Sequence, residues 1–175
     1  MSKNWQEPET VYLLFGSNLG DRAANIGKAL DKVRERTGVP FIVSSLYETE
    51  PWGFMHENSF LNQAVGLHTH ASPHTLLKEI LTIEQESGRI REGKGYAARS
   101  LDIDILFYGR DVINLNNLVI PHPRICERRF VLVPLDEIAP DFIHPVRNKS
   151  IHDLLKECED RSWVRNFSEG RQILF

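Results

Sequence analysis

The sequence predicts an α+β fold, an antiparallel sheet with helices packed on it, and three observations carry that expectation. Segments that alternate apolar and polar residues are interleaved with segments whose apolar residues recur every three or four positions. Along the chain to Tyr108 these periods run strand–helix–strand–strand–helix–strand, the split βαβ or ferredoxin-like order βαββαβ. The length of 175 residues suits one domain of roughly 100–200 residues, and no repeat, low-complexity tract or linker divides it. Residues 1–175 are therefore expected to form a single domain, with a C-terminal hairpin and short helices after the core.

Val11 to Phe15 is an apolar run ending at Gly16-Ser17-Asn18, and reads as the first strand. Asp21 suits a helix N-cap, and Ala23, Ile26, Leu30 and Val33 follow at helical spacing. Gly38 fits the left-handed position just past the helix end, where glycine pays no steric cost. Phe41 to Glu48 reads as one strand with Phe41, Val43 and Tyr47 on one face. An irregular stretch over 49–59 carries Trp52 and Phe54, and Phe60 to Thr69 alternates as a third strand. Ser72-Pro73 is an N-cap followed by a first-turn proline. It opens a helix with the stripe Leu76, Leu77, Ile80, Leu81 and Ile83, which Gly88 closes. Arg89 to Ser100 has little to bury and reads as a functional loop. Leu101 to Tyr108 is the fourth strand, 111–120 suggests a hairpin, and 130–135 and 151–155 suggest short elements. The tail over 147–175 is unassigned.

Composition narrows the function. Hydrophobics at 41% and charged residues at 26% fit a soluble globule and exclude disorder throughout. Twenty-one basic against 24 acidic residues leave a net charge of −3, which provides no field for holding nucleic acid or an anionic membrane. No apolar run approaches the roughly 20 residues that span a bilayer, and MSKNWQEPET lacks the layout of a signal peptide. Cys126 and Cys158 make no disulfide framework or metal pattern. A reduced, cytoplasmic monomer acting on small molecules is the expectation.

The segment most informative about chemistry is Arg99-Ser-Leu-Asp-Ile-Asp-Ile-Leu-Phe107. In a strand Leu101, Ile103, Ile105 and Phe107 face one way, and Asp102 and Asp104 the other. Two carboxylates with Cα atoms about 6.6 Å apart suffice for Mg²⁺ completed by substrate phosphates; alternating acids also occur on plain solvated strands. Arg89, Arg91, Lys94 and Arg99 precede the acids, and His122, Arg124, Arg128 and Arg129 follow. Guanidiniums around paired acids suit a polyphosphate, although arginines are also ordinary surface charge. His122, set between Pro121 and Pro123, is either a phosphate donor or a turn residue. Trp52, Phe60 and Phe130 are core aromatics by default, but Phe60 beside Asn62 on one strand face suits a planar, hydrogen-bonding heterocycle. Gly16 to Asp21 lacks the Lys-[Ser/Thr] of a Walker loop, which excludes a P-loop kinase. Another metal-dependent phosphotransferase or hydrolase, or a ferredoxin-like binding module, would use some of the same residues.

The motifs Gly16-Ser-Asn-Leu-Gly-Asp21, Phe60-Leu-Asn62, Arg99-Ser-Leu-Asp-Ile-Asp104, Ile120-Pro-His-Pro-Arg124 and Arg128-Arg-Phe130 resemble, in order and spacing, those of the 6-hydroxymethyl-7,8-dihydropterin pyrophosphokinases. The resemblance runs from about Val11 to His144. It implies transfer of the β,γ-diphosphate of ATP to the hydroxymethyl group of a reduced pterin, releasing AMP, on the route to folate. It further implies that Asp102 and Asp104 hold two Mg²⁺ ions, and that Arg89, Arg91, Arg99, His122 and Arg128 bind the triphosphate. Arg89, Arg91, Arg99 and Asp102 would then be catalytic. Asn62 would hydrogen-bond the pterin, Phe60 and Phe130 would stack on it, and Thr49, Glu50 and Trp52 would lie along its edge. The chain departs from common members at Phe60 (often tyrosine), Tyr96 (often tryptophan) and Ala97-Ala98 (often Gly-Pro).

Overall fold

A computed structural model describes residues 7–52, 57–88 and 100–167. The first strand, β1 (Glu9–Ser17), feeds α1 (Arg22–Arg36), and the Asp21 carboxylate accepts the Ala24 N–H at 3.0 Å as the N-cap. Strands β2 (Val39–Val43), β3 (Tyr47–Thr49) and β4 (Phe60–Thr69) follow, then α2 (Pro73–Glu86), capped by Ser72. Next come β5 (Asp102–Tyr108), the hairpin β6 (Ile113–Leu115) and β7 (Leu118–Ile120), and a 3-10 turn at Ile125–Glu127. The chain continues through α3 (Arg129–Ile138), α4 (Ile151–Glu157) and β8 (Val164–Asn166).

The main sheet runs β5-β1-β4-β3-β8, with β2 also on β4, and every pairing is antiparallel. Its first four positions reproduce the expected ferredoxin-like order. Each face carries its own apolar layer. Val11, Leu13, Phe15 and Ile103 pack with Ile26 and Val33 of α1 and Leu76, Ile80 and Ile83 of α2. Tyr12, Leu14, Ala64 and Phe107 pack with Val131, Leu132 and Leu135 of α3 and with Ile151 and Leu154 of α4.

Four expectations change. The strand expected over 41–48 divides in two. Ser44 donates its N–H to Ala64 O and accepts the Ala64 N–H on its hydroxyl, both at 2.9 Å, so a side chain replaces one rung of the ladder between β2 and β3. Gly38 is not left-handed; among the described glycines, positive φ falls at Gly20, Gly88 and Gly109. Its need for glycine is close approach, since a Cβ there would lie 2.2 Å from the His68 carbonyl oxygen. Phe107 does not share a face with Ile103 and Ile105. Tyr12 pairs Phe107 while Leu13 pairs Ile105, so Leu106 is an extra residue, and such a bulge switches the side-chain parity beyond it. Finally, 130–135 belongs to a full helix containing Pro134, and the tail supplies the edge strand β8, while the short element expected at 151–155 is α4.

Candidate active site

The bulge in β5 helps to position the site. The Leu106 carbonyl accepts the His122 N–H at 3.0 Å, which fixes the segment following β7, where the Ile120–Pro121 bond is cis. The His122 ring accepts the Arg124 N–H on Nδ1 at 3.3 Å, so its own proton sits on Nε2, 4.0 Å from Asp104 Oδ1. Burial pulls the imidazole down to about 4, reinforced by Arg128 and opposed by Asp102. At neutral pH His122 is thus an uncharged donor beside Asp104, and their approach is not an ion pair.

Asp102 and Asp104 are half-buried on one face of β5, opposite the core residues Ile103 and Ile105. Along the outer edge of β5 runs a cavity of about 370 Å³, walled by Leu77, Ile80, Leu81 and Glu84 of α2 and by residues 116–119 of the hairpin. Both acids and His122 line it. Glu84 is 2% exposed, and its Oε1 accepts the Ile103 N–H at 2.8 Å, joining α2 to the strand edge. Sequence reasoning missed Glu84. The available signal was a carboxylate four residues after Ile80, on the apolar stripe itself.

Sheet register connects the acids to the amide. Gly16 pairs Asp102 on one side and Asn62 on the other, and Asn62 pairs Tyr47. Directly paired residues share a face, so Asp102 and Asn62 stand about 10 Å apart, two strand spacings, across a residue without a side chain. A Cβ on Gly16 would lie 3.2 Å from Asn62 Oδ1. Asn62 is buried, and its Nδ2 donates to Thr49 Oγ1 at 2.8 Å. Above this row, at the start of α3, the buried Arg128 guanidinium lies 4.9 Å from the Trp52 ring centroid and 5.6 Å from that of Phe130. The Arg124 guanidinium lies 4.7 Å from the Trp52 centroid, a contact the sequence did not suggest. Trp52 and Phe130 are 6.4 Å apart between centroids.

The expected residues therefore divide. Asp102, Asp104 and His122 meet at one cavity; Thr49 and Asn62 touch; Trp52, Phe130 and Arg128 form one cluster. Arg128, expected on the triphosphate, belongs to that cluster and is near enough to His122 to help lower its imidazole. Phe60 sits at the start of β4, on the Asn62 face. Glu50 accepts the Trp163 N–H at 2.9 Å. Arg89, Arg91 and Arg99 lie outside the described residues, as do Phe54, Tyr96 and Ala97-Ala98.

The donor set fits a hard divalent cation. Among the described residues no group of three or more His, Cys, Asp or Glu side chains could cage a metal. Magnesium needs less, one or two carboxylates with water and phosphate oxygens making up the rest.

Comparison with known proteins bears on the family of the chain. Residues 12–140 match the family model described as 7,8-dihydro-6-hydroxymethylpterin-pyrophosphokinase. The 2-amino-4-hydroxy-6-hydroxymethyldihydropteridine pyrophosphokinase of Aquifex aeolicus is 40% identical over 148 residues, 85% of this chain and 91% of that protein. Its namesake in Methylorubrum extorquens is 43% identical over 134 residues, 76% of this chain and 84% of that one. The folic acid synthesis protein fol1 of Pneumocystis carinii is 41% identical over 160 residues, 91% of this chain but 21% of its own length. The chain thus spans about a fifth of that longer relative. A Plasmodium falciparum HPPK-DHPS crystal structure superposes with a TM-score of 0.72 at 19% identity, covering 88% of this chain and 42% of that one, a likeness of fold.

Proposed function

The chain belongs to the 7,8-dihydro-6-hydroxymethylpterin-pyrophosphokinase family, and from that premise we propose that it transfers the β,γ-diphosphate of ATP to the hydroxymethyl group of 6-hydroxymethyl-7,8-dihydropterin. The products are AMP and the pterin diphosphate, an intermediate on the route to folate. The observation that carries this reading is the row Asp102–Gly16–Asn62 across three strands. Its support is that a carboxylate suited to metal and phosphate and a buried amide suited to a heterocycle stand about 10 Å apart on one face, with a glycine between them.

ATP enters the cavity along β5, whose volume of about 370 Å³ is in the small-ligand range of roughly 300–1,000 Å³. Leu77, Leu81 and Leu118 offer its base an apolar bed. The His122 Nε2–H and the Arg128 guanidinium donate to phosphate oxygens, joined by Arg89, Arg91 and Arg99. The His122 ring is oriented for this by the Arg124 N–H that Nδ1 accepts, which leaves the Nε2–H to donate. The pterin lies over Gly16, hydrogen-bonded to Asn62, flanked by Phe60 and Phe130, with its edge along Thr49, Glu50 and Trp52. Asp102 and Asp104 would hold two Mg²⁺ ions. When bound, these neutralise the phosphate oxygens and make the attacking hydroxyl more acidic. What the chain itself contributes is alignment of that hydroxyl with Pβ and donors aimed at the charge that moves onto AMP.

The 175 residues act as one pyrophosphokinase domain, a cytoplasmic monomer on small molecules, without nucleic acid or membrane. No helix among the described residues is long and apolar enough to cross a bilayer. Asp104→Ala tests the metal assignment. Turnover should fall by at least about 10²-fold, the scale of losing one preorganised electrostatic partner, with the thermal transition preserved. Full turnover with unchanged Mg²⁺ dependence would remove Asp104 from the metal site.

A further inference from the structure

Behind the pterin wall lies an ionic hub that the proposed reaction does not use. Glu48 occupies the middle of β3 and is 8% exposed. A carboxylate so buried persists only when its oxygens are fully served. Ser59 Oγ donates to it at 2.7 Å, Arg22 Nη2 at 3.0 Å and Arg165 Nε at 2.9 Å, with Arg165 Nη2 completing a forked contact. Arg22 also donates to the Ser59 carbonyl and hydroxyl, each at 2.8 Å.

The four residues of the hub come from four places in the chain, and two of them border the wall directly. Ser59 immediately precedes Phe60, and Glu48 immediately precedes Thr49. By strand alternation Glu48 faces away from Thr49 and Asn62, so its partners act from the back of the sheet. Arg165 comes from β8, which follows the wall residue by residue. Thr49 pairs Val164, Glu48 pairs Arg165, and Tyr47 pairs Asn166. The ladder continues past one end, where Leu46 O accepts the Phe167 N–H at 2.7 Å; past the other, the Glu50 carboxylate accepts the Trp163 N–H at 2.9 Å. Arg22 closes the back, its guanidinium 5.6 Å from the Phe167 ring centroid.

We propose that Glu48 is a positioning residue for the pterin site, held by the C-terminal strand through Arg165, so that 163–167 set the placement of 46–50. The inference rests on the pterin reading of that wall. It assigns a role to a segment outside the matched residues 12–140.

The test uses the full chain with ATP, Mg²⁺ and 6-hydroxymethyl-7,8-dihydropterin. Arg165 has a side chain 69% exposed, so Arg165→Ala removes the fork with little risk to folding. Its pterin KM should rise about tenfold, the effect of losing a charge-assisted hydrogen bond. The ATP KM should stay within about twofold, since the nucleotide cavity lies across the sheet on β5. Arg165→Lys, which restores one charged donor, should recover most of the pterin KM. An unchanged pterin KM in Arg165→Ala would overturn the positioning role. So would pterin and ATP KM values rising together with a lowered melting temperature, the pattern of general loosening. If the wild-type chain forms no pterin-dependent AMP, the pterin reading itself falls and this inference with it.

Discussion

Gly16→Ala probes the floor between the two halves of the site. The added Cβ would stand 3.2 Å from Asn62 Oδ1, tighter than an ordinary carbon–oxygen contact. Asn62 has little freedom to retreat, because it is buried and its Nδ2 is bonded to Thr49 Oγ1 at 2.8 Å. The methyl therefore rises into the space over which the pterin would lie. Overpacking of this kind costs about 1–3 kcal/mol, which is roughly a 5- to 150-fold loss of affinity. The overlap with the pterin arises only in the bound state, whereas the tight approach to Asn62 is present in the free protein as well. In the free protein, replacing glycine at an ordinary strand conformation returns up to about 1 kcal/mol through the unfolded chain. The assay is steady-state AMP formation with each substrate varied in turn, alongside thermal denaturation. The expected result is a pterin KM raised at least fivefold, an ATP KM within about twofold of wild type and a melting temperature close to wild type. A folded Gly16→Ala chain with a wild-type pterin KM would refute the placement of the pterin over this row.

Two further outcomes concern stability. A Cβ on Gly38 would stand 2.2 Å from the His68 carbonyl oxygen and 2.9 Å from Leu67 Cδ1, so Gly38→Ala must displace backbone, at a cost of about 1–3 kcal/mol. For a chain of this length each kcal/mol lowers Tm by about 2–4 °C; calorimetry finding Tm unchanged would contradict the packing. Burial alone would raise the Glu48 carboxyl, but hydrogen bonds from Ser59, Arg165 and Arg22 outweigh it and hold it from 4.5 down to about 2. That lowering stabilises the fold by at most about 3 kcal/mol, less the screening that reaches the exposed Arg165. The contribution is complete above the unfolded value of 4.5 and is lost as pH falls toward 2. Glu48→Gln should therefore be less stable than wild type in urea at pH 7, with the gap narrowing by pH 3; a gap independent of pH would remove the ionic account.

Local signals made much of this fold legible in advance. Asp21 and Ser72-Pro73 cap their helices through bonds within three residues, so sequence alone carries them. The alternation over 60–69 and over 102–105 is equally local, and it set Asn62 and the paired acids on faces the structure keeps. Features that depend on a distant partner stayed hidden. The Leu106 bulge is defined by register against β1, and it moves Phe107 to the other layer. Gly16 and Gly38 look like turn glycines in sequence, whereas one leaves a floor beside Asn62 and the other admits the His68 carbonyl. Arg165 is 117 positions from Glu48, and no periodicity in a short polar tail announces such a pairing. Glu84 sits on the apolar stripe of its helix, but the reason for a carboxylate there appears only when β5 is seen to need an acceptor for the Ile103 N–H.

The central claim is the identity of the transferred group, and nucleotide product analysis tests it most directly. The full chain would be incubated with ATP and Mg²⁺, with and without 6-hydroxymethyl-7,8-dihydropterin, and the products separated by chromatography. The expected result is AMP that forms only with the pterin, matched mole for mole by a diphosphorylated pterin. ADP with a monophosphorylated pterin, or AMP release indifferent to the pterin, would contradict the proposed function.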